Sequence, residues 1–149
     1  RLVRFWDSSA IVQLYLQQGL QRFVRRLYVE DEDVVIWWAT PVECVAAFMR
    51  HHREGGLTEN EVNRVIRRFS AHSRRWDRIL PVAALREEAE RLLRRYVLRA
   101  ADSLQLAAAW LAANQKPDSL EFVSLDQRLK LVAEKEGYRV VAPSSSDLP

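Results

Sequence analysis

Residues 34–39, Val34-Val35-Ile36-Trp37-Trp38-Ala39, run apolar with no alternation of polar positions. A strand with one face in water alternates, whereas a strand covered on both faces does not, so this run suits a sheet sandwiched between helices. Thr40-Pro41-Val42-Glu43 follows at once and reads as a helix start. Thr would cap, Pro would take the first helical position, and Glu stands three after the cap. A buried strand turning directly into a helix is half of a βαβ unit.

Working outward, the same alternation recurs. Upstream, Leu2 to Trp6 is short and rich in β-formers, and Asp7-Ser8-Ser9 switches the pattern to helical spacing through Ile11, Leu14 and Tyr15. After Gly19 a second amphipathic helix carries Leu20, Phe23, Val24 and Leu27. Downstream, the helix from Thr40 should stop near Glu54 at Gly55-Gly56, and Thr58 to Glu61 opens a long basic helix with a second capping pattern. Residues 79–82 form a short candidate strand, followed by helices over 84–96 and 100–114. Glu121 to Leu125 reads as a strand, 127–136 as a helix stopped by Gly137, and 138–141 as a last strand. The expected fold is therefore α/β, with right-handed crossovers and a largely parallel central sheet.

At 149 residues, 48% hydrophobic and 29% charged, the chain has the size and composition of one globular domain. The domain is expected over residues 1–142, with the Ser-rich stretch 143–149 as a flexible tail. A disordered chain, a fibre and a disulfide scaffold are excluded on composition. The single Cys44 fits a reducing compartment and reads as a buried structural thiol. The apolar run Leu106 to Ala113 is well short of the ~20 residues of a membrane span. No charged-then-apolar leader opens the sequence, and the expectation is a soluble cytoplasmic protein with no membrane partner. The net charge is only +3, but 20 of the 23 basic residues are Arg, and the whole excess lies between residues 50 and 99.

Four carboxylates occupy telling positions. Asp7 and Asp126 each follow a strand directly, at the carboxyl end where open α/β sheets hold their sites. Glu43 lies one turn into the helix after the 34–39 strand, and Asp102 is the one acid in the apolar stretch 100–114. Each has a purely structural reading: Asp7 and Asp126 as helix caps, Glu43 in a capping box with Thr40, Asp102 paired with Arg99. Taken together they would form an all-oxygen donor set, which selects Mg²⁺ or Mn²⁺ and suits phosphodiester hydrolysis. Arg4, Arg99, Arg128 and Lys130 lie near the acids in sequence and are candidate phosphate contacts. His51, His52 and Cys44 do not have the i, i+4 spacing of a helical zinc site, and no Gly-rich phosphate loop exists. Trp37 and Trp38 read as core, with one of them a candidate for a partner interface.

The segments VRFWDSSAIVQLYL (3–16), TPVECVAAF (40–48), LRAADSLQLAAAW (98–110) and FVSLDQRLKLVAEKEGYRVV (122–141) together resemble a PIN-domain ribonuclease, above all the VapC toxins of bacterial and archaeal toxin–antitoxin pairs. The resemblance covers nearly the whole chain, with four blocks in register. It implies a three-layer α/β/α sandwich around a mostly parallel sheet of four or five strands. It also implies a Mg²⁺- or Mn²⁺-dependent endoribonuclease acting on structured RNA such as tRNA or rRNA. Asp7, Glu43, Asp102 and Asp126 match the family's four acids, Ser124 the small polar residue before the fourth, and Ser8 a weaker position of that kind. A homodimer and a silencing VapB-like antitoxin are the implied partners. The rival readings are a housekeeping PIN-domain nuclease, a phosphohydrolase with an Asp nucleophile, and a non-catalytic RNA- or protein-binding module. The phosphohydrolase wants an acid two residues after Asp7, where Ser9 stands.

Overall fold

The computed structural model describes residues 2–148. Five short strands, β1 (Val3–Trp6), β2 (Val34–Trp37), β3 (Asp77–Ile79), β4 (Leu120–Val123) and β5 (Arg139–Val140), form one sheet in the order β3-β2-β1-β4-β5. All four ladders are parallel. The connections run through α1 (Ser8–Leu14) and α2 (Gln21–Glu30), then α3 (Thr40–Arg53) and α4 (Glu59–Ser73), then α5 (Ala83–Arg95) and α6 (Ala100–Ala112), and last α7 (Gln127–Lys135).

Neighbouring residues of a strand point to opposite faces, and here both faces are apolar. Trp6, Val34, Ile36 and Val123 enter one core with α1 to α4, centred on Phe23, Phe48 and Phe69. Phe5, Trp37, Leu120 and Phe122 enter the other with α5 to α7, centred on Leu92 and the run Leu106 to Ala109. Phe5 and Phe122 stack across the β1–β4 ladder with ring centroids 5.9 Å apart. The architecture is thus a three-layer α/β/α sandwich with five parallel strands, as the uninterrupted apolar strand at 34–39 anticipates. No helix among the described residues is long and apolar enough to cross a membrane.

The chain winds outward from β1 to β3 with its helices on one face, then returns to β4 with its helices on the other. Winding reverses between β1 and β4, and the crevice at their carboxyl ends is where such sheets bind ligands.

Four local expectations change. Strand β3 ends at Ile79 rather than running from 79 to 82, because Pro81 has no N–H to give a ladder. Thr40 is the first helical residue of α3 and makes no cap: Ala39 holds that position, and the Thr40 hydroxyl, fully buried, accepts a bond from Gln105 Nε2 at 3.0 Å. The expected capping box at Thr58 and Glu61 does form. The stretch expected as a loose tail folds back as a short 3₁₀ turn at Ser145–Asp147, where buried Asp147 takes two bonds from Arg26 of α2 at 2.8 and 2.7 Å. Trp37 is core, but Trp38 is 53% exposed.

Candidate active site

Asp7 is the N-cap of α1 and Asp126 the N-cap of α7, so the two strands flanking the winding reversal each end in a carboxylate. Capping uses one oxygen of each. Asp7 Oδ1 accepts from the Ala10 amide at 3.0 Å and the Ser9 hydroxyl at 2.7 Å, and Asp126 Oδ1 from the Leu129 amide at 2.9 Å. Ser124, buried at the end of β4, donates to Asp7 Oδ2 at 2.6 Å and accepts from the Asp126 amide at 3.1 Å. Ser9 returns the link by accepting from the Leu125 amide at 2.9 Å. The two strand ends are therefore stitched by two hydroxyls, and both caps are real alongside any other role.

Glu43 lies a turn into α3 and is held from two sides. Its Oε1 accepts from Ser8 at 3.1 Å and its Oε2 from Gln105 Nε2 of α6 at 3.0 Å. Asp102, in the first turn of α6, is less buried than its apolar helix suggests, at 18% exposure of the side chain. Arg99 Nε donates to Asp102 Oδ2 at 3.3 Å, and the other arm of that guanidinium reaches to 3.8 Å from Asp126 Oδ2. Asp7, Glu43, Asp102 and Asp126 all line one open cavity of about 590 Å³. Ser8 and Arg99 line it too.

The electrostatics separate the inner acids from the outer ones. Burial drives Asp7 up to about 6, against the bonds from Ser124, Ser9 and Ala10, and the Asp126 charge adds to the rise. Burial likewise raises Glu43, with Asp102 contributing and the bonds from Gln105 and Ser8 opposing. Neither Asp7 nor Glu43 is bonded to a cation among the described residues, only to hydroxyls, an amide side chain and one backbone N–H. Buried carboxylates without a counter-charge are costly, and a divalent ion is the group whose binding would relieve them. The donor chemistry, oxygen only, fits Mg²⁺ or Mn²⁺. In the described residues no three His, Cys, Asp or Glu side chains are drawn together into a ready metal-holding group, and Arg99 spans the outer two acids.

Of the phosphate-contact candidates, Arg99 alone lines this cavity. Arg4 lies back along β1 and is largely buried, bonded to Glu121 at 3.0 Å and Glu30 at 3.3 Å. It is a structural cation, because three residues of strand separate it from Asp7 by ~10 Å. Arg128 and Lys130 ride on α7 outside the cavity. Sequence reasoning missed Gln105 and Arg50, weighed His51 only as a zinc ligand, and named Ser9 only as the residue standing where a phosphohydrolase wants an acid. Glu43, Ala46, Ala47, Arg50 and His51 form the lining stripe of α3 at i, i+3, i+4, i+7 and i+8, a periodicity that was available in the sequence. Gln105 carried no such signal, because it sits in a buried run and shows its purpose only across the α3–α6 contact. Cys44 is a free, fully buried thiol, as expected.

No protein-family model and no curated protein matches this chain. Fold and cavity define an α/β/α protein with four acids lining one cavity at the winding reversal of a parallel sheet.

Proposed function

We propose that the chain is a metal-dependent endoribonuclease, with Asp7, Glu43, Asp102 and Asp126 as the residues that hold the ion. The observation that carries this reading is the convergence of the four acids on one cavity, where Asp7 is buried, Glu43 is half-buried, and neither has a cationic partner among the described residues. When bound, Mg²⁺ or Mn²⁺ would supply Lewis acidity toward an attacking water and the scissile phosphate. The chain's own residues do the positioning. Ser9, Ser124 and the Ala10 amide hold the Asp7 carboxylate, while Ser8 and Gln105 hold that of Glu43. Arg99, 79% exposed beside Asp102 and Asp126, can exchange its carboxylates for a substrate phosphate.

Within that class we read the chain as a VapC-like toxin that cleaves structured RNA, tRNA or rRNA, in the cytoplasm. The order and spacing of the four sequence blocks support this narrower reading, with a VapB-like antitoxin and a second copy of the chain as partners. Trp38 and Leu80, exposed just beyond the paired ends of β2 and β3, and exposed Val82 at the start of α5 offer apolar surface for such a copy.

The test is cleavage of a structured RNA panel with Mg²⁺, with EDTA, and by Asp7→Asn and Asp102→Asn. Loss of about 4 kcal/mol of transition-state stabilisation predicts a rate drop of about a thousandfold in each variant. Equal cleavage in all four conditions would sink the metal-nuclease reading. If a small protein is encoded beside this one, its co-expression should suppress cleavage; persistence of cleavage, or the lack of any such partner, favours a housekeeping nuclease.

A further inference from the structure

Three cavities follow one another around the α1–α4 layer. The acidic cavity shares Leu16, Gln18 and His51 with a second of about 280 Å³, which in turn shares Tyr15 and Arg68 with a third of about 320 Å³. The second is flanked by Arg64 and Arg68, one turn apart on α4, and carries one acid, Glu61, whose carboxylate is committed to the Thr58 amide. The third is walled by the rings of Tyr15, Tyr28 and His72, with Arg25 and Arg68 also lining it. From Glu61 to His72 the path along α4 is about 16 Å, at about 1.5 Å per residue, a span of a few nucleotides.

The walls of the third cavity are built rather than incidental. Tyr15 Oη and His72 Nδ1 are bonded at 2.8 Å, and the His72 ring lies 5.8 Å from Tyr15 and 6.3 Å from Tyr28. Behind Tyr15, Phe48 and Phe69 pack edge-on at 6.0 and 5.8 Å. The Arg68 guanidinium lies 5.8 Å from the Tyr15 ring centre, between the two cavities. Arg4, Arg26 and Arg91 are all ion-paired, whereas no ion pair ties down Arg64 or Arg68 among the described residues. A row of unpaired Arg leading from an acidic site to a pocket of aromatic rings combines the two elements of a single-strand track, backbone charge and base stacking. The pocket's volume is at the lower end of the ~300–1,000 Å³ of small-ligand sites.

We infer that the second and third cavities bind the RNA strand as it leaves the acidic site, Arg64 and Arg68 taking phosphates and the Tyr15–Tyr28–His72 pocket taking one unstacked base. The inference rests on the nuclease reading for the identity of the strand. Its test is therefore made in EDTA, where binding is read without cleavage.

A fluorescein-labelled, unpaired 12-nucleotide RNA is titrated by anisotropy against wild type and the Arg64→Ala/Arg68→Ala double variant. Loss of two phosphate contacts should weaken binding about tenfold or more and flatten the log K against log salt slope by about 1.4. The same RNA is then scanned with single abasic positions on wild type, a measurement that no folding defect can disturb. One position should lose about tenfold in affinity, the loss expected for one stacked base. Unchanged affinity in the double variant overturns the track, and a flat abasic scan overturns the base pocket. Displacement of the RNA by polyglutamate at equal affinity also overturns it, in favour of an acidic protein partner. If binding behaves as stated but Mg²⁺ restores no cleavage, the track stands and the nuclease reading falls. If Mg²⁺-dependent cleavage is seen with a flat scan and an unchanged double variant, the nuclease reading stands while the track and the base pocket fall.

Discussion

Two groups of largely buried carboxylates in this molecule are treated in opposite ways. At the α5–α7 contact, Glu88 and Glu136 share Arg91, and Glu136 also accepts from Tyr96 at 2.6 Å. Burial pushes Glu136 up, but the bonds from Tyr96 and Arg91 outweigh it and leave it below its ordinary range. Asp147 is likewise held low, above all by Arg26. In the acidic cavity Asp7 is buried and Glu43 half-buried, yet they receive neutral donors and stay above their ordinary range. The chain has 20 Arg, so the absence of one on Asp7 among the described residues is not a shortage. Acids that hold the fold together are given a guanidinium, and in the acidic cavity Arg99 reaches the outer pair, Asp102 and Asp126, whereas Asp7 and Glu43 receive no cation among the described residues.

The largest expected effect breaks this contrast at Asp7. In EDTA the unfolded group ionises near 3.8 and the folded one near 6, so the folded state loses stability as pH rises from about 4 to 6. That interval is worth up to about 3 kcal/mol at about 1.4 kcal/mol per pH unit. Asp7→Asn should therefore be more stable than wild type at pH 8, by up to about 3 kcal/mol in urea titrations, and should lack the fall between pH 4 and 6. Parallel pH curves for the two proteins would show that Asp7 is not strained by its charge. Saturating Mg²⁺ should narrow the gap by raising wild-type stability alone, by about 2.7 kcal/mol at a hundredfold excess over Kd.

A smaller effect is expected on the other side of the comparison. Arg91→Ala strips the cation from Glu88 and Glu136 and should cost about 1–2 kcal/mol at pH 7, since the Arg is half-exposed. The Glu136 contribution has the opposite sign with pH: it is present above about 4.5 and is lost as pH falls further, so the variant and wild type should converge in acid. RNA cleavage should be unaffected. The smallest effect belongs to Asp147→Asn, which should leave the melting transition almost in place while exposing residues 143–148 to limited proteolysis. Equal protease resistance would return those residues to the loose end that their composition suggests.

The legibility of the site varied with the range of the interaction. Asp7 and Asp126 could be read because strand, acid and helix follow one another within a few residues. Glu43 could be read from its place one turn into the helix after β2, and its rival structural reading is the one the fold discards: Thr40 turns inward to Gln105 and the helix starts without a capping box. Arg4 misled because closeness in sequence along a strand is distance in space, whereas Arg99, three residues before Asp102 on a helix start, is brought back to it. Composition likewise called 143–149 a tail, but Asp147 finds a partner 121 residues away.

Periodicity was enough for the element order, for strands buried on both faces and for acids at strand ends, because these depend on patterns only a few residues long. Which strands become neighbours does not. The order β3-β2-β1-β4-β5 sets β4 beside β1, across more than a hundred residues of chain, and that adjacency alone brings Asp126 and Ser124 to Asp7. The α3–α6 contact, equally non-local, brings Gln105 to Glu43. Side-chain burial and the choice of partner follow from those neighbours, which is why the uncompensated charge at Asp7 is a property of the tertiary structure.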